Sequence, residues 1–127
     1  MPLVNIVPKD RTVQVRLAQR MVEIRSGLKA VICGISGFPE SDVFVRLTLP
    51  NAVDPDPLEV DFVVYADTCP HEGLEAKANE LCIKMAQALI KFGLTDMRFE
   101  VWPRFLPGPW ALVENGAIVD TVSHPRN

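Results

Sequence analysis

Met1-Pro2-Leu3-Val4-Asn5-Ile6-Val7 opens the chain. Leu3 to Val7 is short, apolar and rich in β-branched residues, which is the composition of a strand. Pro2 stands at its head, where a missing amide N–H disturbs no ladder. The same residue has a second use. If Met1 is removed, Pro2 becomes the amino terminus and carries a secondary amine. Such an amine can take and return a proton near neutral pH when its surroundings lower its pKa. The plain alternative is a strand that starts with proline by chance, and what the rest of the chain builds around this strand decides between the two.

Pro8 to Thr12 breaks the strand, and Asp10 or Thr12 can cap a helix behind it. Val13, Leu17, Met21, Ile24, Leu28, Val31 and Ile32 then recur in steps of three and four, which predicts one long amphipathic helix ending at Gly34 and Gly37. Its basic positions, Arg16, Arg20, Arg25 and Lys29, read as a solvated face. Ser41 to Leu49 alternates with period two and is the second predicted strand. Prolines and aspartates from Pro50 to Pro57 make a loop, and Leu58 to Ala66 is the third strand. After Asp67–His71, the apolar positions Leu74, Ala78, Leu81, Met85, Ala88, Leu89 and Phe92 predict a second helix, with Gly93 just past its end. Arg98 to Arg104 is the fourth strand. Asn115-Gly116 is a hairpin turn between Ala111–Glu114 and Ala117–Val122.

The fold expected is α/β of the α+β kind: β-α-β-β-α-β with a C-terminal hairpin, its four-stranded sheet covered by two helices on one face. A single domain over residues 1–120 and a loose polar tail over 121–127 follow. The uncovered face would present Asn5, Phe44, Arg46, Thr48, Glu59, Asp61, Tyr65, Arg98, Glu100, Trp102 and Arg104. Aromatics and both charge signs alternate there, as a subunit interface with cross-strand ion pairs would require; a wetted sheet face is the alternative.

Composition narrows the function classes. A net charge of −3 argues against a nucleic-acid binder, and no apolar run approaches a membrane span. No signal peptide opens the chain. Cys33, Cys69 and Cys82 therefore read as free thiols in a reducing cytoplasm, the first and last of them in the core. His71 and His124 have no second ligand near them in sequence, so no metal site is expected.

The order of elements, together with Met1-Pro2-Leu3, Pro39-Glu40-Ser41-Asp42-Val43-Phe44-Val45-Arg46-Leu47 and Gly108-Pro109-Trp110, resembles the tautomerase superfamily. These are proteins with a catalytic amino-terminal proline, among them macrophage migration inhibitory factor, 4-oxalocrotonate tautomerase and 5-carboxymethyl-2-hydroxymuconate isomerase. The resemblance covers about residues 2 to 115. It implies a cofactor-free tautomerase or isomerase of a small unsaturated 2-keto or 2-hydroxy acid, assembled as a homotrimer, with Pro2 as general base and acid. Arg46 is the first candidate to grip the substrate carboxylate, because a guanidinium forks onto two oxygens. Its alternative is an interface ion pair with Glu59, Asp61 or Glu100. Arg11 resembles the arginine after strand one in 4-oxalocrotonate tautomerase, one residue early; a surface charge where the helix begins is the alternative. Phe38 stands where macrophage migration inhibitory factor carries lysine, which argues against the same phenylpyruvate-type site and leaves Phe38 as an apolar substrate contact. Trp102, Phe105 and Trp110 either wall an apolar pocket that keeps Pro2 dry or serve ordinary packing. Glu114 could activate a water, as tail acids do in the dehalogenase members, or be a plain strand residue. A trimer of the same fold that binds or scaffolds without chemistry is the competing reading, and retention of Met1 would favour it, since Pro2 would then be a non-basic imide.

Overall fold

Asp10 ends the first strand and starts the first helix: its Oδ1 accepts the Val13 N–H at 2.9 Å, which caps the helix. The computed structural model describes residues 2–49, 59–68, 72–105 and 110–122. Strand β1 is Leu3–Pro8, followed by helices α1, Arg11–Ala18, and α2, Met21–Ser36, and by a 3-10 turn at Glu40–Asp42. Strands β2, Phe44–Leu47, and β3, Phe62–Thr68, precede helices α3, Glu72–Ala76, and α4, Ala78–Lys91. Strand β4 is Phe99–Phe105, and β5, Trp110–Glu114, and β6, Ala117–Val122, form the hairpin.

Four strands make one sheet in the order β2-β1-β3-β4. β1 and β2 are parallel, β3 and β4 are parallel, and β1 meets β3 antiparallel. Each parallel pair is linked through helices, as parallel strands require. The α+β class and the β-α-β-β-α-β order expected from sequence are those observed. Val4, Ile6, Val43, Val45, Phe62, Val64 and Ala66 bury one sheet face against Leu17, Ile24, Leu28, Ile32, Leu81, Met85 and Leu89 of the helices. Most of the positions picked out by helical periodicity are therefore core.

Each expected helix is two. Arg20, with φ −115° and ψ 10°, separates α1 from α2, and Lys77 with φ −105° separates α3 from α4. Neither break carries proline or glycine, and the apolar stripe runs through both, so periodicity could not show them. At the first break the Arg20 guanidinium donates to the Phe92 carbonyl at the end of α4. α2 runs through Gly34 to Ser36 and stops where Gly37 takes a left-handed φ of 79°.

The expected strand over Ser41–Leu49 is shorter because Asp42 N–H and Val43 N–H donate to the carbonyls of Pro39 and Glu40, winding that stretch into a turn. The third strand begins later and ends later than expected. Its register against β1, from Leu3↔Asp67 to Pro8↔Phe62, takes in Asp67 and Thr68. The fourth runs from Phe99 to Phe105, one residue later at each end than expected. β6 spans Ala117–Val122, the second arm that the hairpin reading gave. Asn115 and Gly116 both have positive φ, 50° and 80°, as the hairpin reading required. Cys33 and Cys82 are half-buried free thiols, and Cys82 donates to the Val101 carbonyl on the outer edge of β4. Pro50–Leu58, Cys69, His71, Pro107–Pro109 and His124 lie outside the described residues.

Asp61 ties three strands at the lower end of the sheet. Its carboxylate pairs with Lys9 Nζ at 2.9 Å and accepts the Arg98 N–H at 2.8 Å. The hydrogen bond from Lys9, then that from the Arg98 amide, holds its pKa below the ordinary carboxylate value. A depressed carboxylate stabilises the fold above its unfolded pKa and loses that contribution as pH falls through its folded pKa. The stability gap between the wild type and Asp61→Asn should therefore shrink as pH drops from about 5 to about 2. Urea unfolding across that range checks this, and a constant gap would show that Asp61 is not linked to folding.

α2 and α4 meet at Gly27, where a Cβ would come 2.5 Å from Phe92 Cζ. Gly27→Leu is expected to cost about 2 kcal/mol by overpacking. Adding Phe92→Ala should recover part of it, whereas simple additivity of the two losses in denaturant melts would place the contact elsewhere.

Candidate functional site

Pro2 is buried at the head of β1. Its carbonyl accepts the Phe44 N–H at 3.1 Å, which fixes it to β2. By alternation with Val4 and Ile6 its ring lies on the helix-facing side of the sheet. One step beyond Leu3↔Asp67 in the β1–β3 register, Pro2 lies beside Thr68, which pairs onward with Phe105. Thr68 is buried, and its Oγ1 has no hydrogen-bond partner among the described residues.

The next row on the opposite face reads Phe44, Leu3, Asp67, Arg104. Arg104 Nε and a terminal guanidinium nitrogen donate to the two Asp67 oxygens at 2.6 and 2.8 Å, a two-pronged pair. The Asp67 side chain is 11% exposed and that of Arg104 46%. The guanidinium carbon also lies 4.0 Å above the Tyr65 ring centroid, a cation–π contact. The Asp67 hydrogen bonds raise the Arg104 pKa, so this cation stays charged. Neither Asp67 nor Arg104 nor Thr68 was among the sequence candidates. Continuing the third strand's alternation by two residues would have placed the first and last of these on the sheet.

Arg46 lies one row further, beside Asn5, with Tyr65 and Trp102 completing the row. It is exposed and makes no ion pair among the described residues; Asp61 is engaged by Lys9 and Glu100 by Trp102. With Arg25 and Lys29 of α2, and with Leu3, Phe44 and Val45, it lines a groove of about 430 Å³ along the free edge of β2. Lysine and arginine thus gather around an apolar floor, an arrangement that suits an anion with an apolar body. Arg46 and Pro2 share the β1–β2 end of the sheet, yet their side chains leave on opposite faces.

The remaining sequence candidates are dispersed. Arg11 begins α1 behind Pro8, roughly 20 Å from Pro2 given the strand rise. Phe38 follows Gly37, half-buried against the core, and its N–H donates to Ser36 Oγ. Trp102 is 52% exposed on β4, donates from Nε1 to Glu100 at 3.0 Å, and borders a groove of about 460 Å³ against Ala78, Asn79 and Cys82 of α4. Phe105 packs against the core. Trp110 starts β5, in register with Val122, on a sheet separate from the one that holds Pro2. Glu114 is exposed beside the hairpin turn. The structure therefore does not bring Pro2, Arg11 and Trp102 together within one chain. Burial raises the Cys33 thiol pKa, with Glu40 adding to it, so this cysteine is not an activated nucleophile. Among the described residues, no three His, Cys, Asp or Glu side chains gather as a metal site.

Solved structures share this architecture across nearly the whole chain. A fused 4-OT, described as a symmetric trimer, superposes with a TM-score of 0.60 at 19% identity, covering 91% of this chain and 94% of that one. MIF2 of Leishmania major gives 0.59 at 15% identity over 93% and 97%. N1, a member of the cis-3-chloroacrylic acid dehalogenase family, gives 0.62 at 14% identity over 93% and 83%. The chain has the tautomerase-superfamily fold. No protein-family model matches the sequence, and no curated protein matches it. At the head of β1 the leading sequence candidate, Pro2, lies buried beside the buried hydroxyl of Thr68.

Arg104→Ala should cost about 1–2 kcal/mol, kept low because nearly half of the Arg104 side chain faces water. Most of that loss comes from a carboxylate left partnerless, so adding Asp67→Asn should restore part of it. Thermal melts of the two variants check this; a double variant weaker by the full sum would overturn the pair as the source.

Proposed function

We propose that this protein is a cofactor-free keto–enol tautomerase or isomerase of a small unsaturated 2-keto or 2-hydroxy acid, with Pro2 as its amino-terminal base and acid. The observation that carries the reading is the burial of Pro2 at the head of β1 on a tautomerase fold. Removal of Met1 makes the Pro2 nitrogen a secondary amine. Burial disfavours its charged form and brings its pKa toward neutrality, where it works in both directions. The neutral nitrogen takes a proton from the carbon beside the carbonyl or from the enol hydroxyl, and the ammonium returns it to another carbon. Arg46, exposed and without an ion pair among the described residues, binds the substrate carboxylate, and the groove it shares with Phe44 takes the apolar body.

The working assembly in this reading is a homotrimer in a reducing cytoplasm. The sheet face opposite the helices leaves Phe44 46% and Trp102 52% exposed, and no other layer of the described chain buries them. Arg11, far from its own Pro2, reaches a proline site only from a neighbouring subunit. One observation favours the rival reading of a trimeric binding or scaffold protein: Pro2 and Arg46 depart from opposite faces of the sheet. The two readings separate on one set of measurements. Intact mass of protein from its native host should lack one methionine. Ketonisation of small unsaturated 2-hydroxy acids, used as probes, should fall about 100-fold or more in Pro2→Ala. It should vanish when one alanine is inserted ahead of Pro2. Full activity in either variant, or a retained Met1, would exclude Pro2 chemistry.

A further inference from the structure

Thr68 Oγ1 is, among the described residues, the only buried side-chain nitrogen or oxygen without a hydrogen-bond partner. Native folds pair nearly all such groups, so an orphan hydroxyl on a residue 4% exposed asks for a donor or acceptor. Its place in the ladder names the neighbour. Phe44 N–H donates to the Pro2 carbonyl and Thr48 N–H to that of Ile6, so the backbone groups of Pro2, Val4 and Ile6 face β2. The Pro2–Thr68 position is therefore a non-hydrogen-bonded site of the antiparallel β1–β3 pair, the kind whose Cα atoms lie about 4.5 Å apart with side chains closest. Both side chains fall on the helix-facing side, Pro2 by alternation with Val4 and Thr68 by alternation with Val64 and Ala66.

We propose that Thr68 is the positioning residue for the Pro2 amine. This rests on the reading of Pro2 as an amino-terminal base. A neutral secondary amine has one N–H and one lone pair. When Thr68 Oγ1 accepts the N–H, the lone pair is turned toward the substrate. The protonated amine keeps one N–H on Thr68 and delivers the other. A hydrogen bond to the charged form favours it, so Thr68 offsets the desolvation that burial imposes and keeps the amine pKa in a working range.

The test uses two forms of the full chain, one with a free Pro2 confirmed by mass and one blocked by an alanine ahead of Pro2. In the free form, Thr68→Val should lower the Pro2 amine pKa, followed by proline nitrogen NMR, by about one unit. It should also lower the melting temperature, and Thr68→Ser should restore both. In the blocked form the hydroxyl has no such donor, so Thr68→Val should leave the melting temperature unchanged or raise it. Thr68→Ala gives the same readouts if valine does not fit. An identical Pro2 titration in wild type, Thr68→Val and Thr68→Ala overturns the proposal. Enol-acid turnover is scored separately. A titration that responds to Thr68 without turnover overturns the enzyme reading alone; turnover with an unmoved titration overturns only the role of Thr68.

Discussion

The antiparallel seam between β1 and β3 is the constraint on which the molecule rests. Each half of the chain is a parallel strand pair with its helices, and neither half closes a core alone. Joining them at Leu3↔Asp67 through Pro8↔Phe62 places all four strands in one sheet and lets α2 and α4 share one hydrophobic layer. Pro2, Leu3, Asp67 and Thr68 are set beside one another by that register. A slip of one residue would turn Val4 and Ile6 to the open face and separate Pro2 from Thr68.

Much of the fold was legible because periodicity is a direct physical consequence of burial. Ile24, Leu28 and Ile32, or Leu81, Met85 and Leu89, recur as a helix against a sheet demands, and all six are buried. Asn115-Gly116 was legible because only a few residues accept positive φ in tandem. The breaks at Arg20 and Lys77 were not, because tertiary contacts set them: Arg20 turns its guanidinium onto the end of a helix 72 positions away. Strand limits failed for a related reason. Where β3 ends is decided by its partner's length, and although the alternation runs on through Ala66 to Thr68, nothing local in Asp67-Thr68 marks the stop.

The candidate site was legible only in part. Pro2 could be singled out because its chemistry depends on position in the chain more than on neighbours. Arg46 was singled out by the resemblance, which implies an arginine on the second strand, and by the fit of a guanidinium to a carboxylate. Arg104 and Asp67 were hidden, one at a presumed strand end and the other in a presumed loop, and their pairing spans two strands. Arg25 was passed over as part of a solvated helix face, although with Lys29 it borders the same groove as Arg46. A face reading assigns a helix residue to water or core; it does not see that a neighbouring strand edge makes the boundary between them a pocket.

The two edges of the sheet differ in how they would meet another polypeptide. On β4 the outward backbone positions are Phe99, Val101, Pro103 and Phe105, since Arg98 turns its carbonyl to Asp61. Pro103 has no N–H to offer, and the Val101 carbonyl is already taken by Cys82. That edge presents no continuous ladder, so an unfolded chain or a misfolded copy finds no template there. On β2, Val45 lies outward with no such device, in a strand only four residues long and flanked by positive charge. Protection against edge-to-edge aggregation is thus built in two ways: by blocking donors and acceptors on one flank, and by brevity and electrostatic repulsion on the other.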